Sequence, residues 1–126
     1  MRVPDAAWRG VFTEYREALS REATEAPDAF HFAALSLVLG AAVARSAHIW
    51  SGWALHPNQY VLLVGPTGDR KSTAGRFALS LLSGDWVPIV KGISTREGLI
   101  TKLGSEAGMS LVVFQEEFTG ILAKSK

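Results

Sequence analysis

Four consecutive aliphatic residues, Val61, Leu62, Leu63 and Val64, stop abruptly at Gly65 and Pro66, and a Lys71-Ser72 pair then opens a run with helical periodicity. An unbroken aliphatic run suits a strand buried on both faces of a parallel sheet, because alternation disappears when neither face meets water. Glycine followed by proline ends such a run. Ala74, Phe77, Ala78, Leu81 and Leu82 recur at the spacing of one helix face. Lys71 and Ser72 therefore fall in a first helical turn, where backbone N–H groups lack intrahelical acceptors and the positive end of the helix dipole favours an anion. The stretch predicts a strand, a loop and a helix start with an anion at their junction.

Each residue type in this stretch has a chemical task. The segment Gly65, Pro66, Thr67, Gly68, Asp69, Arg70, Lys71, Ser72 and Thr73 reads as a phosphate-binding P-loop, with ATP and Mg²⁺ as its ligands. N–H groups from about residue 68 to residue 72 would cradle the β-phosphate. Lys71 would reach the β- and γ-phosphates, and the Ser72 hydroxyl would ligate Mg²⁺. The usual pattern is GxxxxGK[ST], and here Arg70 stands where the second glycine is expected. Glycine supplies conformational freedom and close backbone approach, so an arginine must either adopt ordinary dihedrals or be strained. Its guanidinium would add charge-assisted hydrogen bonds to phosphate. The bland alternative is a Gly-Pro turn before a polar helix start.

Size and composition set limits. A chain of 126 residues with 48% apolar and 20% charged residues suits a soluble domain with a core of its own. A net charge of +1 neither implies nor excludes nucleic acid, since a dedicated binder usually carries a strong basic excess. The absence of cysteine rules out disulfides, thiolate metal sites and cysteine nucleophiles, and fits a cytoplasmic location. No signal-peptide pattern follows Met1. Residues 32–44 are free of charge but fall short of the roughly 20 apolar residues that a membrane span needs, so they predict a buried helix and no membrane.

Upstream of the loop, Asp5 suits an N-cap, and Trp8, Val11, Phe12, Tyr15 and Leu19 mark one face of a helix running to about Ala23. Pro27 breaks it. Asp28 is expected to cap a second, nearly all-apolar helix reaching about Ala47. Residues 48–58, with two tryptophans, Gly52 and Pro57, read as an irregular connector. His31, His48 and His56 match no compact ligand spacing and are joined by no acidic residue or cysteine, so no metal is expected there. Downstream, residues 86–90 suggest an edge strand demoted by Pro88. Ser94 and Glu97 have capping-box spacing, so a helix is expected from Thr95, with Leu99, Ile100 and Leu103 inward.

The second informative stretch is Leu111, Val112, Val113 and Phe114, followed at once by Gln115, Glu116 and Glu117. An apolar strand ending in an acidic pair has the form of a Walker B strand. One carboxylate there can hold Mg²⁺ through its water shell, and a second can polarise the attacking water. Glu116 is assigned to magnesium and Glu117 to the general base, with Lys71 as the other catalytic residue. The competing reading is a solvated acidic turn.

Taken together, the loop ending in Arg70-Lys71-Ser72, the segment Ser94-Thr-Arg-Glu-Gly-Leu99 and the segment Gln115-Glu-Glu-Phe-Thr-Gly-Ile-Leu122 resemble a large family of P-loop proteins from bacteria, phages and plasmids. Its members look like the helicase-type ATPase halves of primase–helicase proteins. The resemblance covers roughly residues 30–122. It implies an α/β fold, a P-loop NTPase of RecA-like type with a partial parallel sheet (residues 57–126) preceded by an α-helical N-terminal segment (residues 1–56). It also implies ATP with Mg²⁺, work on single-stranded DNA in replication of mobile elements, and a homo-oligomer when full length. Such cores continue past Walker B to a sensor residue and an arginine finger, so the chain resembles an N-terminal fragment truncated there. A non-catalytic nucleotide-binding or assembly module is the competing function. A small-molecule kinase using the same loop is a further one.

Overall fold

The computed structural model describes residues 2–22, 25–43, 46–82, 87–92, 95–105 and 110–116. The architecture is mixed α/β, with four α-helices and two small two-stranded sheets, one of them parallel, among the described residues. The chain divides into two units that interleave in sequence, one formed by residues 1–39 and 59–81 and the other by residues 40–58 and 82–126.

The first unit begins with a short 3-10 turn, Asp5–Ala7, and then helix α1, Val11–Glu22. The sequence predicts one continuous helix from Asp5. Gly10 interrupts it at φ +55°, a left-handed conformation that glycine adopts without steric cost, and the Thr13 hydroxyl donates back to the Trp8 carbonyl at 2.9 Å. Trp8, Tyr15 and Leu19 of the expected face are buried, while Val11 is exposed. Helix α2, Asp28–Val43, starts where the Pro27 carbonyl accepts the N–H groups of Phe30 and His31. Asp28 is thus its first residue and not its cap. Its carboxylate there suits the positive end of the dipole and accepts from Arg16 at 3.2 Å, while the other arm of Arg16 reaches Asp5 at 3.0 Å.

Packing between α1 and α2 is aromatic. Phe32 stacks on Phe12 with centroids 4.6 Å apart and takes the edge of Trp8 at 5.2 Å, while the Arg16 guanidinium lies 4.9 Å over the Trp8 ring. Leu35, at 0% exposure, is the largest fully buried apolar side chain of α2, and burial of such a side chain contributes about 1.5–3 kcal/mol. Helix α3, Lys71–Leu79, buries Ala74, Gly75, Ala78 and Leu79, and its Phe77 ring meets Tyr15 at 5.6 Å and His31 at 6.1 Å. That contact fixes α3, and with it the loop that precedes α3, against the first two helices.

Residues 60–64 do not form the expected two-faced strand. All strands among the described residues belong to the other unit, so this segment has no ladder partner within its own. Val61 and Leu63 are half-buried, whereas Leu62 and Val64 are 64% and 76% exposed and Tyr60 is fully exposed. The alternation is that of an extended chain with one face covered.

In the second unit a small antiparallel hairpin, β1 (Ile49–Trp50) with β2 (Ala54–Leu55), replaces the predicted irregular connector, and Gly52 at φ +81° makes its turn. Strand β3, Ile89–Lys91, pairs in parallel with β4, Val112–Phe114, in the register Ile89 with Val112 and Lys91 with Phe114. A parallel pair needs a crossover, and helix α4, Arg96–Ser105, lies in that connection. Its cap is Thr95, whose hydroxyl accepts the Gly98 N–H at 3.0 Å. Ser94, the expected cap, lies outside the described residues. Leu99 is half-buried, but Ile100 and Leu103 are exposed and do not form the inward face that the spacing predicts. No helix among the described residues is long and apolar enough to cross a membrane.

Candidate functional site

Residues 65–73 form one continuous turn around the start of α3. Gly68 has φ +107°, Asp69 returns to negative φ, and Arg70 is left-handed again at φ 51°, ψ 33°. Alternation of this kind turns successive N–H groups toward one side and makes an anion-binding concavity. The Asp69 N–H closes the turn on the Pro66 carbonyl at 3.3 Å, and the first helical bond runs from the Ala74 N–H to the Arg70 carbonyl at 3.1 Å. The N–H groups of Arg70, Lys71, Ser72 and Thr73 have no acceptor among the described residues, and Arg70 offers no side-chain cap. They are the orphan donors of a helix start.

Arg70 settles the conformational question that the sequence poses. It is left-handed, and it is the sole non-glycine residue with positive φ among the described residues. The backbone thus has the form a glycine would give, at a cost of roughly 1–2 kcal/mol for a residue with a Cβ. Its side chain turns to Glu25, with Nε 3.0 Å and Nη2 2.9 Å from the same carboxylate oxygen. Nothing in the sequence marks Glu25, which is 45 positions away.

Lys71 Nζ donates to the Gly65 carbonyl at 2.8 Å and to the Pro66 carbonyl at 2.7 Å. An ammonium has three donors, so the side chain ties the beginning of the loop to the start of α3 and keeps one donor for another acceptor. Gly65 is tightly enclosed. A Cβ built there would come within 2.5 Å of Asp69 Oδ2 and 3.1 Å of Phe30 Cζ, so glycine permits the close approach of a carboxylate and a ring. Ser72 is half-buried, while Pro66, Thr67, Gly68 and Thr73 are exposed.

Glu116 lies beyond the carboxyl end of β4 and is exposed. Glu117 falls outside the described residues. Among the described residues no group of three or more histidine, cysteine or carboxylate side chains is gathered as a metal cage. Mg²⁺ on a nucleotide does not require one, since it keeps several waters and takes one or two protein ligands beside the phosphates. The donor set of the loop fits a phosphate chain: orphan N–H groups, an ammonium and a hydroxyl. The Asp69 carboxylate, held against Gly65, and the Glu25 carboxylate on Arg70 oppose an anion there. No family model, curated protein or solved structure matches the chain.

Proposed function

We propose that the chain binds ATP with Mg²⁺ through residues 65–73 and belongs to a RecA-like P-loop NTPase, acting as a helicase- or primase-associated ATPase in replication of mobile-element DNA. The observation that carries the nucleotide reading is the left-handed Arg70, which keeps a glycine-like loop geometry where the sequence has lost the glycine. Strained residues of this kind persist where the surroundings determine them, and they cluster at ligand sites. The helicase-type role, single-stranded DNA and assembly into a homo-oligomer rest on the resemblance of the three motifs.

In this reading the N–H groups of residues 70–73 hold phosphate oxygens, and the Lys71 ammonium turns its remaining donor to the same chain. The Ser72 hydroxyl is the loop's proposed magnesium ligand, while the roles of Glu116 on magnesium through water and of Glu117 as general base rest on the sequence pattern of an apolar strand ending in an acidic pair. Bound Mg²⁺ would supply charge neutralisation at the phosphates. Binding without turnover is the second reading, in which Arg70 at the glycine position of the loop leaves the phosphate cradle without a catalytic arrangement.

Calorimetry with Mg-ATP tests binding. Lys71→Ala should weaken it about tenfold or more, given roughly 1.5–3 kcal/mol for a hydrogen bond to a charged group. Equal affinities in two folded proteins would overturn the reading. Phosphate release with and without single-stranded DNA then separates an ATPase from a module that only binds.

A further inference from the structure

Arg70 stands at the head of α3, and its guanidinium is engaged by a carboxylate. Nε and Nη2 converge on one oxygen of Glu25 at 3.0 and 2.9 Å. Both side chains are well exposed, 57% for Arg70 and 73% for Glu25, so the pair is held in water and separates easily. Beside it stand the orphan N–H groups of residues 70–73, which have no acceptor among the described residues. A guanidinium pairs more strongly with a phosphate group, which offers several oxygens and greater charge, than with a single carboxylate oxygen.

We propose that Glu25 is an internal competitor for the nucleotide: its carboxylate holds the Arg70 guanidinium while the loop is empty, and phosphate displaces it when ATP binds. This rests on the nucleotide reading above. Glu25 lies just before the Pro27 carbonyl that receives the first N–H groups of α2, and the neighbouring Ala26 is buried. Exchange of Arg70 from carboxylate to phosphate therefore releases the entry to α2 from the loop, so that occupancy of the loop is reported to the start of α2. Glu25 acts through Arg70 and is a positioning residue.

The test is a double-mutant cycle in Mg-ATP affinity by calorimetry at low ionic strength, using the wild type, Glu25→Gln, Arg70→Gly and the double variant. Glu25→Gln should bind about two- to fivefold more tightly than wild type, the range set by exposed ion pairs, and should lose that advantage near 0.5 M salt, where screening is strong. In the Arg70→Gly background the same change should have no effect. Equal gain in both backgrounds would show that Glu25 acts as a bare negative charge, and it would overturn the exchange. So would equal affinity of Glu25→Gln and wild type, with the nucleotide reading left standing. Failure of both proteins to bind ATP removes the nucleotide reading and the exchange together, whereas binding by Glu25→Gln alone supports both. Thermal melts of the four proteins establish that each is folded, and Glu25→Ala repeats the single change without a residual amide acceptor.

Discussion

Replacing Arg70 by glycine and, separately, by alanine isolates the backbone strain at the head of α3. Both variants lose the guanidinium and its pair with Glu25, so those contributions cancel between them. At φ 51°, ψ 33° a residue with a Cβ costs roughly 1–2 kcal/mol that glycine does not. Glycine returns about 0.4–1 kcal/mol of this through the greater entropy of its unfolded chain. The difference leaves Arg70→Gly more stable than Arg70→Ala by about 0.8 kcal/mol, within roughly 0–1.6. At an ordinary negative φ the order reverses, with alanine ahead by about 0.4–1 kcal/mol. Urea unfolding followed by amide circular dichroism reads the sign directly. With an m-value of about 1–3 kcal/mol per molar, the midpoint of the glycine variant should lie about 0.3–0.8 M higher. A higher midpoint for alanine, at equal m, would refute a left-handed Arg70 and the loop geometry built on it.

Two further outcomes follow from the first unit. Gly65→Ala should destabilise by roughly 1 kcal/mol, the low end for overpacking, because the added methyl carbon must turn aside the Asp69 carboxylate, whose Oδ2 lies 2.5 Å away, and press on Phe30 Cζ at 3.1 Å; adding Asp69→Ala should recover part of the loss in the same urea assay, and an equal loss in both backgrounds would mean that Asp69 does not enclose Gly65. His31 is buried against Tyr15, and desolvation holds its imidazole below the ordinary histidine value despite the opposing charge of Asp28. The unfolded chain therefore takes up a proton near pH 6.5 while the folded chain still resists it. The stabilising contribution is complete above about pH 6.5 and is lost as the pH falls toward the depressed folded value. Unfolding midpoints between pH 8 and pH 5.5 should drop more in wild type than in His31→Gln, and a His31 ring resonance titrating at or above 6.5 would contradict this.

What the sequence could and could not reveal divides along the reach of the forces involved. The start of α3 at Lys71 was legible because periodicity and orphan N–H groups are local properties of the chain. β4 was legible for the same reason, as an aliphatic run bounded by turn and acidic residues. Residues 60–64 carry an equally strong aliphatic signal, but a ladder depends on neighbours, and within their unit no strand lies among the described residues. β1 and β2 are two residues each, shorter than the four to eight over which a strand pattern can be recognised. At Arg70 the sequence posed two conformations and could not choose, because the choice depends on how the whole turn is held. The contact between Glu25 and Arg70 spans 45 positions and leaves no periodic trace.

The charges of the loop explain why Arg70 and Lys71 have to be considered together. Each cation already has an internal partner: Lys71 is committed to the carbonyls of Gly65 and Pro66, and Arg70 to Glu25. A hydrogen bond to a carbonyl oxygen leaves the ammonium charge uncompensated, so Lys71 keeps its attraction for an anion while holding the loop closed. A carboxylate does compensate charge, so Arg70 contributes little attraction until Glu25 is displaced. In the proposed function the two adjacent cations would therefore act in sequence on an incoming phosphate. Lys71 and the N–H groups of the helix start would draw it in, and Arg70 would join only at the expense of its contact with Glu25. A glycine at position 70 would provide the same backbone without that second step. On the proposed exchange, the strain at Arg70 would be what couples the loop to the start of α2.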